Sequence, residues 1–315
     1  MEVIRGRFAP SPTGEIHLGN VWTALLAWLQ VRSAGGNMVL RVEDLDADRS
    51  RPAYIAGMMA DMKWLGLDWD EGPDVGGHYA PYSQNERREM YQAALEKLTA
   101  AGLVYPCYCT RAELAASAPH AGEQERVYAG VCRQRQFAES RPAGRPPALR
   151  LAVPAGETSF TDLHAGAICQ NISQEVGDFV IRRSDGIHAY QLAVVVDDAA
   201  MQITRVLRGH DLLSSTPRQL LLYHLLDWEA PVFTHVPLLV DEAGHRLSKR
   251  QQALSIAALR AQGIKAEDII GYLAWKAGLI DTCQAVKASE LIDGFALDKL
   301  PSGQVVIESA LFCKY

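Results

Sequence analysis

The chain has 315 residues, of which 48% are hydrophobic and 22% are charged, an ordinary composition for a soluble globular protein. Its net charge of −6 is not the basic balance of a protein that wraps a long nucleic acid, although a short RNA contact needs only a local basic patch. No apolar run approaches the ~20 residues that span a bilayer, and no secretory signal opens the chain. We therefore expect a cytoplasmic protein without a membrane partner, and, since nothing requires a dimer, a monomer.

The first hundred residues alternate between short strands and helices, a rhythm that favours βαβ units and a parallel sheet. Apolar spacing predicts, in chain order, a strand at 3–8, a turn at 10–14, a helix at 18–31, a strand at 38–42, and helices at about 53–64 and 86–100. Residues 105–147 break this rhythm, with clustered cysteines, several prolines and little periodicity. We interpret them as part of an inserted subdomain.

The second half of the chain begins with β-rich runs separated by turn signals. These runs are 149–153, 179–182, 190–196 and 201–207. The later predicted elements are a helix at 216–226, a strand around 236–240, and helices near 252–262 and 266–277, followed by ~35 weakly patterned residues. The pattern as a whole predicts an α/β fold.

Residues 7–20 read RFAPSPTGEIHLGN and join a predicted strand, a tight turn and a helix N-terminus. Backbone N–H groups and the helix dipole at such a junction suit a phosphate group. His17 and Asn20 can donate hydrogen bonds to phosphate oxygens, and Gly19 lets an adenine ring approach the backbone closely. Alone, His17 is equally a surface cap of the helix. The whole stretch at this spacing favours nucleotide binding.

A second basic segment, RLSKR at 246–250, follows the turn at 241–244. Together the two segments resemble the paired ATP signatures of class I aminoacyl-tRNA synthetases, and the first resembles those of the glutamyl/glutaminyl branch. Asn20 and Arg246 depart from the usual histidine and lysine. The resemblance implies that His17 and Lys249 are catalytic, with Lys249 neutralising charge on the β- and γ-phosphates. It implies that Mg²⁺ accompanies ATP and that ATP contacts His17, Gly19, Asn20, Arg246, Ser248 and Lys249.

The same resemblance implies L-glutamate as the amino acid that is activated. Glutamate carries two carboxylates and an ammonium, so its pocket needs cations and an anion. By resemblance, Glu43 binds the α-ammonium, with Asp44 as the nearby alternative, while Arg208 faces the side-chain carboxylate and Tyr190 donates its hydroxyl. Read alone, Arg208 also suits an interdomain ion pair and Tyr190 a core position. The implied glutamate-binding residues are Arg7, Ala9, Ser11, Glu43, Tyr190 and Arg208.

Three of the six cysteines lie within 26 residues, which in an enzyme of this size suggests metal binding more than disulfides. Cys107, Cys109 and Cys132 supply three ligands for a tetrahedral Zn²⁺ with a structural role. His120 is the chemically ordinary fourth ligand, whereas Tyr128 matches the Cys-x-Cys…Tyr-x-x-x-Cys pattern of the family named below. Three reduced thiols without a metal are the alternative.

Both ATP signatures, the glutamate-binding set, the cysteine pattern and the length resemble the glutamyl-Q tRNA(Asp) synthetases, a family of shortened paralogues of glutamyl-tRNA synthetase. The resemblance implies that glutamate is activated to glutamyl-adenylate without tRNA and then transferred to queuosine in the anticodon loop of tRNA(Asp). It implies a Rossmann-type catalytic domain, a zinc-binding acceptor-like insertion and a short helical C-terminal region, without an anticodon-binding domain. The expected boundaries are 1–104 and 179–250 for the two catalytic halves, 105–178 for the insertion and 251–315 for the C-terminal region.

Two other functions remain to be weighed. A truncated glutamyl-tRNA synthetase would charge a tRNA 3′ end, but we expect no anticodon domain to support it. A non-catalytic synthetase-like binding protein would usually carry a damaged ATP site. Here His17, Gly19 and Lys249 are intact, which favours an enzyme.

Overall fold

The computed structural model describes residues 3–110, 127–128, 130–134, 146–247 and 254–308. Its strands are β1 Arg5–Phe8, β2 Asn37–Leu40, β3 Val104–Cys107, β4 Ala148–Leu151, β5 Thr158–Asp162, β6 Gly166–Gln170, β7 Phe179–Arg182, β8 Arg205–Gly209, β9 Val232–Val236, β10 Leu239–Val240 and β11 Val305–Val306. Its α-helices are α1 Leu18–Arg32, α2 Pro52–Trp64, α3 Arg88–Ala100, α4 Val131–Gln134, α5 Ile172–Glu175, α6 Tyr190–Ala200, α7 Thr216–Leu226, α8 Ile256–Ala261 and α9 Ala266–Lys276. Short 3₁₀ helices occupy Gln84–Arg87, His210–Ser215, Ala288–Leu291 and Leu297–Lys299.

A four-stranded parallel sheet, in the order β2-β1-β8-β9, confirms the predicted α/β fold with a parallel sheet. The chain runs from β1 outward to β2 and from β8 outward to β9, so the strand order reverses between β1 and β8. Ligands of open α/β sheets bind beside the carboxyl ends of the strands at such a reversal. The sheet therefore places its natural binding crevice where β1 and β8 end.

Helix α1 follows β1 directly and lies at the centre of the molecule. Ten of its 15 residues are buried, because it packs with the sheet on one side and with residues such as Ile269 and Leu273 of α9 in the same hydrophobic core. Burial on nearly all sides explains why apolar residues surround the helix instead of forming one stripe. This packing fixes the position of the helix N-terminus beside the end of β1.

The middle of the chain forms smaller antiparallel units beside the parallel sheet. Strands β3, β4 and β7 form one three-stranded sheet, and β5 and β6 form a hairpin. The hairpin contacts the parallel sheet, since the backbone N–H of Leu163 donates to the carbonyl oxygen of Phe233 in β9. Among the helices that the structure describes, none is both long enough and apolar enough to cross a bilayer.

Several predicted elements match closely, including α1, α2, α7, α9 and β7. The strand predicted at 190–196 is wrong, because this run is the start of helix α6. Its valines favour a strand, but the segment is buried around its circumference, and a short apolar run of this kind has no periodicity that separates helix from strand.

Two further strand predictions are displaced along the chain. The run 201–207 begins as a turn, with Gln202 at a φ of 53°, so β8 starts only at Arg205. The strand predicted around 236–240 is divided by Pro237 into the end of β9 and the two residues of β10. Proline lacks the N–H that a continuous ladder needs, which accounts for the break.

Candidate functional site

A cavity of about 450 Å³ opens at the carboxyl ends of β1 and β8. Its walls bring together almost all of the predicted ATP- and glutamate-binding residues that the structure describes. Those that line it are Arg7, Ala9, Ser11, His17, Gly19, Asn20, Glu43, Tyr190, Arg208 and Arg246. Ser248 and Lys249 lie outside the described residues.

The N-terminus of α1 forms one wall of this cavity. His17 caps the helix, its Nδ1 accepting from the backbone N–H of Gly19 at 3.1 Å, and the side-chain oxygen of Asn20 accepts from the backbone N–H of His17 at 3.1 Å. Because Nδ1 is an acceptor, this pattern assigns the ring proton to Nε2, where it can be donated. His17 therefore combines a helix cap at Nδ1 with a ring N–H donor at Nε2.

The structure gives a second reason for a glycine at position 19, besides the close approach of a ligand that the sequence predicts. A Cβ at this position would lie 3.0–3.1 Å from atoms of the His17 ring, closer than real Cβ contacts allow without movement. The glycine thus permits the cap that holds His17 in place, in addition to leaving the backbone open to a ligand.

The start of the second signature reaches the same cavity from the other side. Arg246 follows the turn after β10, is 62% exposed along its side chain, and forms an ion pair with Asp211 through Nη1 at 2.5 Å. Leu247 is buried. Its Cβ would lie 4.0 Å from a Cβ placed on Gly19, which is an ordinary van der Waals distance. The signature therefore begins beside the α1 N-terminus.

Arg7 and Glu43 belong to a buried ionic network. Nε of Arg7 donates to Asp198 at 3.2 Å, and the fully buried Arg41 donates to Asp198 at 2.6 Å and to Glu43 at 3.1 Å. Arg41 also lies 3.6 Å from Asp197. Within the described part of the chain, neither Nη atom of Arg7 has a hydrogen-bond partner, so both remain available at the cavity.

The same network sets the protonation states of its members. Burial raises the pKa of Glu43, with Arg41 and Arg7 acting in the opposite direction. For Asp198, burial is outweighed by Arg41 and Arg7, which hold its pKa below the usual value. Burial would lower the pKa of Arg41, but the carboxylates of Asp198, Asp197 and Glu43 raise it well above its usual value. The network therefore keeps the guanidinium of Arg41 charged inside the protein.

Glu43, and not Asp44, lines the cavity. The Asp44 carboxylate instead accepts from the hydroxyl of Ser83 at 2.6 Å and from the backbone N–H of Asn85 at 2.9 Å. Glu43 lies three residues beyond the end of β2, and its backbone N–H donates to the carbonyl of Pro10. This contact ties the glutamate to the first signature.

Arg208 presents a buried donor without a partner in the described structure. Its Nε donates to Nε2 of His235 at 2.9 Å and its Nη2 donates to the hydroxyl of Thr216 at 2.8 Å, whereas Nη1 is buried and unpaired. An unpaired buried guanidinium N–H is costly unless a ligand satisfies it. Tyr190, whose pKa is raised by burial, lines the same cavity at the start of α6. An anionic ligand group fits between these side chains.

The cysteine cluster lies apart from this cavity, next to β3 and α4. The Sγ atoms of Cys107, Cys109 and Cys132 lie within 4.8 Å of one another, and the Tyr128 hydroxyl lies 3.5 Å from Cys107 and 3.7 Å from Cys109. Zn–S bonds of about 2.3 Å and a Zn–O bond of about 2.0 Å, arranged tetrahedrally, require S···O separations of about 3.5 Å. The four side chains therefore fit one tetrahedral zinc, while His120 lies outside the described residues.

The surroundings of the cluster also suit a cation. Burial and the neighbouring thiols raise the pKa of Cys109 to about 11, so a thiolate there is unfavourable without a positive ion, whereas hydrogen bonds with Tyr128 and Arg150 outweigh burial and hold the pKa of Cys107 below its usual value. The guanidinium of Arg150 lies over the Tyr128 ring, 3.8 Å from its centroid, and fixes that ring in place.

A larger cavity of about 930 Å³ lies near the amino ends of β1 and β8, lined in part by Arg5, Lys97, Arg205 and Trp228. It contains none of the predicted binding residues. Arg5 at the larger cavity and Arg208 at the smaller one each have a buried, unpaired Nη atom, but the N-terminus of α1 and the predicted binding residues line the smaller cavity, which is therefore the candidate site.

Sequence reasoning missed the side chains that hold the site together. Asp197, Asp198, Arg41, Asp162 and His235 are all buried polar groups in contact with the predicted residues or with each other. The paired aspartates ending an apolar run at 192–198 offered a signal, since charges buried in such a run need partners. No sequence signal links Asp162 to His235, 73 residues away.

The chain was compared with known proteins and protein families. Residues 3–304 match the family model described as tRNA synthetases class I (E and Q), catalytic domain. The glutamate-tRNA synthetase of Elizabethkingia anophelis has a similar structure, with a TM-score of 0.85 and 30% sequence identity, covering 98% of this chain and 68% of that chain. The chain belongs to the class I tRNA synthetases of the glutamate and glutamine branch, and is a ligase of the aminoacyl-tRNA synthetase type.

Two relatives resemble the chain over most of their length. One, named glutamyl-Q tRNA(Asp) synthetase, from Nitratidesulfovibrio vulgaris, is 55% identical over 283 residues, covering 88% of this chain and 87% of the relative. Another of the same name, from Symbiobacterium thermophilum, is 52% identical over 309 residues, covering 96% of this chain and 95% of the relative. The resemblance stated from the sequence motifs is thereby confirmed.

Proposed function

We propose that this chain activates L-glutamate with ATP to glutamyl-adenylate, without needing tRNA, and transfers the glutamyl group to queuosine in tRNA(Asp). One observation carries the proposal for glutamate. A single small cavity is lined by Arg208, whose Nη1 is buried and unpaired in the described structure, by Arg7 and by Glu43, next to the N-terminus of α1. This is the charge complement of an amino acid with two carboxylates, beside a site suited to phosphate.

The charged groups of glutamate are bound by three different side chains. Nη1 of Arg208 binds the side-chain carboxylate of glutamate, with the Tyr190 hydroxyl as a second donor. The carboxylate of Glu43 accepts from the α-ammonium group. Arg7, fixed by Asp198, lies between them, where its Nη atoms can hold a carboxylate in a bidentate pair. Glutamine in place of glutamate would leave the Arg208 charge uncompensated, which selects against it.

The nucleotide occupies the α1 side of the cavity. An oxygen of the α-carboxylate attacks the α-phosphorus of ATP in line, the bond to the β-phosphate bridging oxygen breaks, and pyrophosphate leaves. Nε2–H of His17 donates to the phosphate oxygens, Gly19 leaves room for adenine, and Asn20, Arg246, Ser248 and Lys249 complete the contacts. Mg²⁺ bound to ATP neutralises part of the phosphate charge. Catalysis is then mainly alignment and charge stabilisation.

In the second step, a hydroxyl of the queuosine cyclopentene ring attacks the carbonyl carbon of glutamyl-adenylate. An ester forms, the mixed anhydride bond breaks and AMP leaves. This acceptor is supported by the two relatives named for glutamyl-Q tRNA(Asp), which match this chain at 52–55% identity over 87–95% of their own length.

Zn²⁺ is proposed as a structural ion held by Cys107, Cys109, Tyr128 and Cys132. Tyr128 as the fourth ligand is supported by three side-chain separations of 3.4–3.7 Å, Cys107–Tyr128, Cys109–Tyr128 and Cys109–Cys132, which suit a tetrahedral ion. When bound, the ion would cross-link β3 to α4, and it takes no part in either chemical step. Metal analysis of the purified chain and of Tyr128→Phe tests this, with one zinc per chain expected for the parent and weaker retention for the variant.

Two assays test the proposed reaction. Glutamate-dependent exchange between ATP and pyrophosphate, measured without tRNA and with glutamine as the control amino acid, tests activation. Transfer of labelled glutamate to tRNA(Asp) with and without queuosine, and with the 3′-terminal adenosine removed, tests the acceptor. We expect exchange with glutamate, and transfer that requires queuosine but survives 3′ trimming. Transfer that requires the 3′ end and ignores queuosine would instead establish a shortened glutamate–tRNA ligase.

A further inference from the structure

Asp162, His235 and Arg208 form a continuous chain of buried hydrogen bonds that ends at the candidate glutamate pocket. Asp162 is the last residue of β5, and His235 and Arg208 lie opposite each other on β9 and β8. The carboxylate Oδ2 of Asp162 lies 2.6 Å from Nδ1 of His235, and Nε2 of His235 lies 2.9 Å from Nε of Arg208. All three residues are at least 94% buried.

The chain has only one consistent direction of donation. An arginine Nε–H is always a donor, so Nε2 of His235 must be the acceptor, and the ring proton resides on Nδ1, from which it is donated to Asp162. Burial lowers the pKa of His235, which favours this neutral ring, although the Asp162 hydrogen bond acts in the opposite direction. Asp162 thereby selects the tautomer that can accept from Arg208.

The orientation of the Asp162 carboxylate is fixed independently. Its Oδ1 accepts three backbone N–H groups, from His164 at 3.0 Å, Ala165 at 2.8 Å and His235 at 3.1 Å. These donors and the His235 side chain outweigh burial and lower the pKa of Asp162 to about 2. Only Oδ2 is left to face the histidine ring, so the carboxylate cannot exchange its two oxygens freely.

We infer that Asp162 and His235 are positioning residues for glutamate specificity, acting through Arg208. By occupying Nε of Arg208, while Thr216 occupies Nη2, they leave Nη1 as the guanidinium nitrogen without a partner in the described structure, and so as the donor for the ligand. The inference rests on the proposed binding of glutamate by Arg208. It assigns to the β5–β6 hairpin, outside the parallel sheet, a part in choosing the amino acid.

Asp162→Asn is the most specific test, because it keeps the shape of the side chain and replaces one carboxylate oxygen by an NH₂ donor. The three backbone N–H groups hold the new carbonyl oxygen at the Oδ1 position, so the new amide NH₂ faces Nδ1 of His235. Nδ1 must then accept, the ring proton moves to Nε2, and two N–H donors confront each other at Arg208. We expect the glutamate dissociation constant and KM to rise about 10- to 100-fold. We expect kcat and the KM for ATP to change less than about threefold, and the preference for glutamate over glutamine to fall.

Two variants separate positioning from a loss of folding. His235→Gln places an amide where Nε2 stood, and its oxygen can accept from Arg208 whatever residue stands at 162. In the His235→Gln background, Asp162→Asn is therefore expected to add little. Asp178→Asn is the matched control, since Asp178 is also a buried aspartate that accepts a backbone N–H, from Val153 at 2.7 Å, but lies outside the cavity. It is expected to leave the glutamate KM unchanged.

Calorimetric binding of glutamate, pyrophosphate exchange and ¹⁵N spectra of labelled histidine supply the readouts. The spectra are expected to show a His235 proton on Nδ1 in the parent and on Nε2 in Asp162→Asn, independently of any activity. An Nε2 proton in the parent, an unchanged glutamate affinity in Asp162→Asn, or fully additive effects in the double variant would overturn the inference. A parent that neither binds nor exchanges glutamate would overturn the proposed function first, and this positioning role with it.

Discussion

The two ends of the candidate site are built in different ways. At the glutamate end, Arg7 and Arg208 are 5% and 6% exposed, and each is held by a buried side chain, Asp198 for Arg7 and His235 for Arg208. At the nucleotide end, the contacts come from a helix N-terminus and from Arg246, which is 62% exposed. Under the proposed function, amino-acid recognition therefore depends on preorganised side-chain charges, whereas nucleotide recognition depends on backbone geometry and exposed cations.

The largest effect is expected from a substitution that breaks the buried network at the glutamate end. Asp198→Asn removes the anion between Arg7 and Arg41, leaving two buried cations without their shared partner. We expect a loss of about 3–5 kcal/mol in the free energy of unfolding, measured by urea denaturation. Asp185→Asn, which disrupts a half-exposed pair with Arg183, is the control and should cost less than about 1 kcal/mol. Equal losses in the two variants would show that the network is not preorganised.

Arg208→Ala tests the same end of the cavity by function. Removing a buried guanidinium that binds a carboxylate should lower kcat/KM for glutamate, mostly through KM. The loss corresponds to about 2–5 kcal/mol of transition-state stabilisation. Arg205→Ala is the matched control, because Arg205 is on the same strand but lines the opposite cavity. Steady-state exchange kinetics distinguish the two. An unchanged glutamate KM in Arg208→Ala would mean that another cation binds the side-chain carboxylate.

Lys249→Ala tests the nucleotide end. If Lys249 neutralises charge that develops on the departing pyrophosphate, kcat should fall about 100-fold while glutamate binding is nearly unchanged. Arg246→Ala, which removes an exposed cation paired with Asp211, should lower kcat less than about fivefold. Exchange kinetics and glutamate calorimetry measure both quantities. A larger effect on glutamate affinity than on kcat would contradict the proposed division of the site.

The smallest predicted effect is the contribution of Asp162 to acid stability. Its pKa is about 2 in the folded chain against 3.8 for an unperturbed aspartate, so its stabilising contribution is complete above about pH 4 and is lost as the pH falls toward 2. The difference in unfolding free energy between the parent and Asp162→Asn should shrink by about 2 kcal/mol over that interval. A difference that stays constant with pH would show that Asp162 is not held as a carboxylate.

Much of the site was predictable because its residues sit in ordered motifs. A strand, a Pro/Gly turn and a helix N-terminus place His17 and Gly19 by local structure alone, and the parallel sheet places Arg7 and Arg208 at one edge. The error at 190–196 arose because short, fully buried helices and strands share one apolar composition.

The supporting charges were not predictable, because tertiary packing alone brings them together. Asp162 reaches His235 only through the docking of a hairpin against β9, and Arg41 reaches Asp197 and Asp198 only when α6 packs beside the sheet. Nothing in the local sequence specifies these partners. They hold the side chains at the glutamate end, whereas the binding residues proposed from the sequence line one cavity wherever the structure describes them.

The most direct test of the central claim is a calorimetric titration of L-glutamate into the chain without ATP and without tRNA. If the buried network holds the glutamate end ready, binding should be saturable, should be lost in Arg208→Ala, and should exclude L-glutamine under the same conditions. Saturable glutamate binding that appears only after ATP or tRNA is added would contradict the account, since the site would then be assembled by its ligands.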